Sequence, residues 1–433
     1  MADAPHSHIT GKSENRSEYW HLRYWRGHFP WSENQVFLAL TLVIGALAGL
    51  AAVAFILLTE RLGARLYPPG VPAPRRVLGP IIGSLSMGYL LARSFRDARG
   101  EGVAQTKSAL HSSDGRITFH SLVGKLFCTS VTLASGIPLG PEAPSVAVGA
   151  GIASILGRKL GLSPAKVRAL IPVGAAAAIA AALNTPIAAV LFTLEAIIGD
   201  LNAPVLGSVV LASATGWMVL RLLLGDEPIL HVPPYQLTHW VEFAAYTVLG
   251  VAGGIVSGTL IAATVWLRGR FNLLPPKTLW IQPLAGGLVV GAAGWAVPEA
   301  LGVGYGHISD LLSGKMVIEL AALLVLLKVL TVVVSSASGN AGGIFAPTLF
   351  IGAMLGGTVG GVAHYLLPGS TAPPGAYALV GMGALFAGVV RAPMTSIMLV
   401  FEVTRNYAII VPLMIANHVS YIVSRKIHVE ALY

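Results

Sequence analysis

Three short stretches place Gly or Pro immediately ahead of an apolar run: Gly100-Glu101-Gly102-Val103-Ala104-Gln105, Gly140-Pro141-Glu142-Ala143-Pro144 and Gly342-Gly343-Ile344-Phe345-Ala346-Pro347. A helix that begins at such a place carries unpaired backbone N–H groups and the positive end of the helix dipole. A proline in its first turn costs nothing, because that N–H would be orphaned anyway. Within lipid those N–H groups need an acceptor. Three such N-termini converging at mid-depth would bind an anion without spending a buried Lys or Arg. Two acids stand in these stretches. Glu142 lies at a helix start, where a carboxylate can occupy the anion site itself. Glu101, if ionised about 4 Å from a bound anion, would repel it by roughly 4 kcal/mol at an effective dielectric of about 20, enough to lower occupancy about a thousandfold. A buried carboxyl with few partners tends instead to be neutral, and its O–H then donates to the anion. The other arrangements open to Glu101 are an aqueous vestibule or a pair with Arg99 or Lys107.

Elements able to hold such termini inside lipid are abundant. Of the 433 residues 55% are hydrophobic and 11% charged, against roughly 25% charged in globular chains, so a water-soluble surface cannot be built. Val36 to Thr59 and Trp240 to Trp266 are long enough to cross a hydrocarbon core that needs ~20 residues. Their continuous apolar character excludes the alternation of a β-barrel. About fourteen apolar segments of uneven length follow Val36, and some, such as Ala376 to Val390 and Pro393 to Val400, are too short to cross alone. Gly and Pro lie inside these segments, which predicts broken helices; such helices survive in membranes only where the freed backbone is buried or lines a cavity. The chain is therefore expected to be an all-α, polytopic protein of the cell membrane with broken and re-entrant helices, surrounded by lipid. Residues 1–35, with Trp20, Trp25 and Trp31 among Arg16, Arg23 and Arg26, read as a cytosolic or interfacial segment. The net charge of +9 is scattered over segment ends such as Arg61, Arg93 and Arg158, the pattern of flanks beside lipid headgroups rather than of a nucleic-acid surface.

An internal repeat organises the rest. Asn184-Thr185-Pro186 through Glu195 echoes Arg391-Ala392-Pro393 through Glu402, and Glu142-Ala143-Pro144 through Gly151 echoes Phe345-Ala346-Pro347 through Met354. The offsets are 207 residues from Pro186 to Pro393 and 203 from Pro144 to Pro347, so both pairs keep nearly one register. Duplicated halves interrupted at matching places mark transporter folds whose ion site lies between the halves. Here they are placed at about 36–225 and 236–433.

These residues carry a resemblance. The chain resembles, over nearly its whole length, bacterial members of the CLC family of voltage-gated chloride channels and proton-coupled chloride antiporters. Gly343 to Pro347 matches that family's Gly-Ile-Phe-Ala-Pro stretch without change, and the segment from Arg391 to Thr404 is also family-like. The resemblance implies two inverted repeats, a homodimer with one anion pathway per subunit, and chloride or a similar small anion, such as nitrate or fluoride, as cargo. It implies that Glu142 is the gating glutamate and part of a proton pathway. It places Gly140, Pro141, Ala143, Gly343, Ile344, Phe345 and Ala346 around the anion, with the N–H groups of Ile344 and Phe345 facing it. Tyr433 corresponds to a tyrosine whose hydroxyl meets the anion, with Tyr421 as the alternative, and the chain stops where the family continues, as a truncated membrane domain would.

The departures are as informative. Ala134-Ser135-Gly136-Ile137-Pro138 looks like the family's serine motif but stands only seven residues before Glu142, whereas Gly100 to Ala104 stands about forty before it, as in the family. Ser135 is thus read as a packing residue, and Glu101 occupies the serine position. Pro141 replaces a basic residue and removes an N–H donor, Ala143 replaces Gly, and Ala196 stands where many transporters of the family carry an intracellular proton glutamate. Without that carboxyl, a channel-like or weakly proton-coupled pathway is expected. The alternatives are an antiporter in which Glu101 takes over proton handling, and a non-conducting protein that keeps the fold; Glu101 and Pro141 favour the latter, while Glu142 and Gly343 to Pro347 oppose it.

Other polar residues receive plainer readings. Glu195 and Glu402 are expected to brace helix ends. Ser335, Ser336 and Ser338 have no His or Lys partner in a recognisable motif, so no hydrolase, and no enzyme, is expected. Cys128 reads as a packing thiol, and the twelve His, including His6 and His8, show no metal spacing. No metal and no cofactor are assigned.

Overall fold

The computed structural model describes residues 33–67, 70–111, 114–225, 230, 232–233, 235, 239–429 and 431–432. Residues 1–32 and Tyr433 lie outside this set. Sixteen α-helices run through the described residues, and they fall into two series of eight. The first is α1 (Glu33–Leu66), α2 (Ala73–Arg93), α3 (Gly102–His111), α4 (Phe119–Ala134), α5 (Glu142–Lys159), α6 (Pro164–Leu183), α7 (Pro186–Phe192) and α8 (Leu206–Leu224). The second is α9 (Glu242–Asn272), α10 (Leu284–Ala296), α11 (Tyr305–Leu312), α12 (Ile318–Ala337), α13 (Phe345–Leu366), α14 (Pro374–Val390), α15 (Pro393–Thr404) and α16 (Ile410–Ile427). Sixteen helices compare with about fourteen apolar segments; α3 begins at one of the glycine-opened starts, whereas its counterpart α11 was not singled out. At 10 and 8 residues they are short, and α3 carries Gln105, Lys107 and Ser108 on its turns.

Seven helices among the described residues are long and apolar enough to cross a membrane. At 1.5 Å per residue the 34 residues of α1 reach about 50 Å, well beyond a core of ~30 Å, so α1 is long enough to cross with its polar end, Glu60 to Arg65, beyond the apolar span. In contrast α14 has 17 residues and α15 has 12, and both stop short of a full crossing. The breaks follow local chemistry. α6 and α14 end on Asn184 and Arg391, each in the left-handed region at φ 55° and 66°, and Pro186 and Pro393 then open α7 and α15, where a missing N–H is harmless.

Equivalent helices pack equivalently: α1 rests on α6 and α8 as α9 rests on α14 and α16. The close approach needs small residues. A Cβ at Gly149 would stand 2.1 Å from the Gly174 carbonyl oxygen, joining α5 to α6, and one at Gly352 would stand 2.4 Å from that of Gly381, joining α13 to α14. Glycine here lets backbones touch where lipid offers no hydrophobic drive for association. Every residue from Gly375 to Val390 of α14 is buried. Cys128 packs with Met87, Leu91 and Ala341, as a small hydrophobe does.

Candidate anion pathway

The first turns of α5 and α13 meet head to head. The Gly140 N–H donates to the Gly343 carbonyl at 2.7 Å and the Gly343 N–H returns to the Gly140 carbonyl at 2.8 Å, an antiparallel bridge at the midpoint between the halves. These two N–H groups are spent on each other, so Gly140 and Gly343 shape the site rather than donate into it. Beyond the bridge, Glu142 and Ala143 on one side and Phe345 and Ala346 on the other are first-turn residues whose N–H groups have no carbonyl of their own helix to pair with. Pro141 and Ile344 are the residues just ahead of the two helices. The Phe345 ring is wedged edge-on between Phe192 and Phe386, at 4.9 and 4.6 Å between centroids, which fixes the α13 terminus in place.

α3 joins the same centre. A Cβ at Gly102 would stand 1.9 Å from the Ala143 carbonyl oxygen, and one at Gly343 would stand 2.6 Å from the Ala143 Cβ. All three glycine-opened termini therefore gather around Ala143.

The Glu142 side chain is 2% exposed and turns back over its own helix start. Its Oε1 accepts a 2.7 Å hydrogen bond from the Tyr305 hydroxyl, and the backbone N–H groups of Glu142 and Ala346 face the carboxylate. Its Oε2 is buried without a hydrogen bond of its own, and lies where a Cβ of Gly140 would collide with it. A carboxylate oxygen thus sits against two helix N-termini, in the place an anion would take.

Glu101 lies just ahead of α3 and is engaged by cations. Arg268 Nη2, from α9, reaches its Oε1 at 2.5 Å, and Ser336 Oγ, from α12, stands 3.4 Å from the same oxygen. Lys125 is buried and donates to the Gly100 carbonyl at 2.6 Å, within the electrostatic reach of Glu101. The repulsion expected between Glu101 and an anion is therefore countered by positive charge closer to it than the anion would be. Its partner is Arg268, a residue that spacing along the chain could not single out.

Glu195 and Glu402 exchange places between the halves. Glu402 accepts from the N–H groups of Ile187 and Ala188 at 2.9 and 2.6 Å, capping α7. Glu195 accepts from the N–H groups of Met394 and Thr395 at 3.3 and 2.8 Å, capping α15. Both carboxylates brace helix ends. Ser135 is buried, with its hydroxyl on the Thr132 carbonyl. Ala196 follows Glu195 within a π-turn over Thr193–Ile198. Tyr433 lies outside the described residues, and Tyr421 meets Arg391, His418 and Arg425 instead of the site.

Tyr305, Arg268 and Lys125 were missed. One signal was available for Tyr305: Gly100-Glu101-Gly102 and Gly304-Tyr305-Gly306 stand 204 residues apart, in the register of the repeat. The structure repeats the geometry too, with φ of 97° at Gly100 and 90° at Gly304, a region that favours glycine. The tyrosine is the second half's counterpart of Glu101. Arg268 and Lys125 had no such signal, because a single basic residue in an apolar helix does not reveal what it faces.

With this geometry in place, comparison with known proteins is specific. The family described as voltage gated chloride channel matches residues 83–425. A ClcB-like protein of Ralstonia nicotianae is 33% identical over 363 residues, covering 83% of this chain and 84% of its own length. The protein of Vibrio campbellii named H(+)/Cl(-) exchange transporter ClcA is 30% identical, over 94% of this chain and 90% of its own. Among solved structures, a slow cyanobacterial Cl−/H+ antiporter superposes with a TM-score of 0.82 at 23% identity, covering 92% of this chain and 96% of that one. A CLC-type fluoride/proton antiporter does so with 0.80 at 24% identity, covering 92% and 98%. These two share the fold.

Proposed function

Since the chain belongs to the voltage-gated chloride channel family, whose members transport anions across membranes, we propose that it passes chloride or a similar small anion along a pathway gated by Glu142. The observation that carries this reading is the Glu142 carboxylate, buried against the first turns of α5 and α13 and held by Tyr305. A carboxylate in an anion site is a competitor of the anion: while it stays the pathway is closed, and when it leaves the backbone N–H groups donate to the ion. Ile344, Phe345 and Ala346 supply the donors on the α13 side, and Ala143 supplies one on the α5 side. Pro141 supplies none, so the outer site holds its ion with one donor fewer than an N–H at this position would provide. In this reading Tyr433 completes the inner site, and the protein works as a homodimer with a separate pathway in each subunit.

We read the transport as channel-like or weakly coupled to protons, on the ground of Ala196, which cannot carry a proton at any pH. A second reading, anion–proton exchange with Glu101 as the second proton carrier, is favoured by relatives named H(+)/Cl(-) exchange transporters. Chloride efflux from liposomes separates the two. Efflux that needs only valinomycin supports the uncoupled pathway, and efflux further accelerated by a proton ionophore supports exchange. Glu142→Gln, which loses the charge that competes with the anion, is expected to raise efflux several-fold and to abolish any coupling. Efflux from neither the parent nor Glu142→Gln refutes chloride transport and leaves nitrate, fluoride or a non-conducting role.

A further inference from the structure

Two donors from different helices of the fold's second series, Arg268 Nη2 on α9 and Ser336 Oγ on α12, converge on one oxygen, Glu101 Oε1, at 2.5 and 3.4 Å. They also stand 3.3 Å from each other. A guanidinium and a hydroxyl meeting on one carboxylate oxygen are donors that a small anion in its place would also use. The other oxygen, Oε2, is buried with no hydrogen-bond partner, so the carboxylate is held through one atom only and can be pulled away at the cost of that single cluster. Its side chain is 9% exposed, yet it borders an open cavity of about 440 Å³ that Arg99, Gln105 and Arg116 also line. Backbone contact of Gly102 with Ala143 puts Glu101 one residue from the centre where the three termini meet.

We propose that Arg268 and Ser336 form a second anion site at the cavity end of the pathway, and that Glu101 is its tethered occupant, displaced by each anion that passes. This inference rests on the anion-transport reading for its physiological meaning, but the site itself is defined by the three side chains. The logic mirrors that of Glu142, which fills the other site. It also supplies a role for a carboxylate that would otherwise obstruct an anion: paired with Arg268 it keeps an unoccupied guanidinium from trapping the ion, and it hands that guanidinium over when the ion arrives. A guanidinium and a hydroxyl suit a halide or a small planar anion, and the surplus charge of Lys125 keeps the end of the pathway attractive to anions while Glu101 is ionised.

A purely structural ion pair also frees the Arg268 charge when Glu101 is removed, so the discriminating reading is the Ser336 hydroxyl. Chloride binding is measured by titration calorimetry on detergent-solubilised protein, beside chloride efflux from liposomes. Removing the occupant by Glu101→Gln is expected to tighten chloride binding about tenfold. Arg268→Gln is expected to lower efflux at least tenfold, since both Glu101 and the passing anion then lose the guanidinium, and Glu101→Gln/Arg268→Gln is expected to lose the tightening. The tightening is also expected to be lost in Glu101→Gln/Ser336→Ala, and its persistence there overturns the site. If Glu101→Gln weakens chloride binding or leaves it unchanged, the second site is overturned, whether or not the Arg268 variant folds. If tightening occurs but no variant passes chloride, the site stands and the transport reading falls. If efflux responds to Glu142→Gln while Glu101→Gln leaves binding unchanged, transport stands and the second site falls.

Discussion

Tyr305→Phe tests the gate with the smallest change available, the loss of one hydroxyl. That hydroxyl donates to Glu142 Oε1 at 2.7 Å and is the side-chain donor on a carboxylate that the backbone N–H groups of Glu142 and Ala346 also face. A hydrogen bond to a charged group contributes about 1.5–3 kcal/mol, and every ~1.4 kcal/mol is tenfold in an equilibrium. The balance between Glu142 in its site and Glu142 away from it should therefore shift by about ten- to a hundredfold towards the open form. Phenylalanine keeps the ring and its packing, so α11 and the Gly304 turn stay as they are. Initial chloride efflux from liposomes should rise several-fold and approach that of Glu142→Gln. The same change made in the Glu142→Gln background should do much less, because the acceptor is then a neutral amide that no longer competes as an anion. Equal loss of efflux in both backgrounds, or no change in the parent, would refute the argument that Tyr305 holds the gate shut.

Two further outcomes follow from the packing between and within the halves. Glu402→Gln and Glu195→Gln each replace a charged cap by a neutral one with a single acceptor oxygen, at the N-termini of α7 and α15. Each should cost about 1–2 kcal/mol and lower the thermal unfolding midpoint in detergent; unchanged midpoints in both variants would show that the reciprocal caps do not hold the halves together. Gly102→Ala places a Cβ 1.9 Å from a backbone oxygen that no side-chain rotation can move, so folded yield or chloride binding should collapse. Gly207→Ala, at a helical glycine with nothing within 4 Å of the added atom, should leave both unchanged; equal behaviour of the two variants would refute the close approach of α3 to α5.

Some of the site was readable along the chain because its chemistry is local. A glycine or proline ahead of an apolar run announces a helix start within a few residues, and this is enough to bring Glu142, Ala143, Ile344, Phe345 and Ala346 forward together. The repeat is equally local in kind, since it compares short words, and its register reaches as far as Tyr305. What it compared was limited to apolar words, so the match between the turn opening α3 and the one opening α11 passed unnoticed. Glu195 and Glu402 were recognisable as braces, but which terminus each one caps depends on a partner 200 and 214 residues away.

By itself, the amino-acid sequence determined the class of the protein: apolar length sets helices in a bilayer, duplicated words set two halves, and glycine-opened starts set helix N-termini inside the fold. Only the tertiary structure decided how the charges are shared. Arg268 stands 167 residues from Glu101 and Tyr305 stands 163 from Glu142, and nothing local in either segment encodes the meeting. The physical reason is that Coulomb energy and hydrogen bonding depend on distance in space, within a few ångströms, whereas spacing along the chain reports only distance along one helix. Glu101, taken alone, is a negative charge beside a helix start; only the fold brings Arg268 onto one of its oxygens.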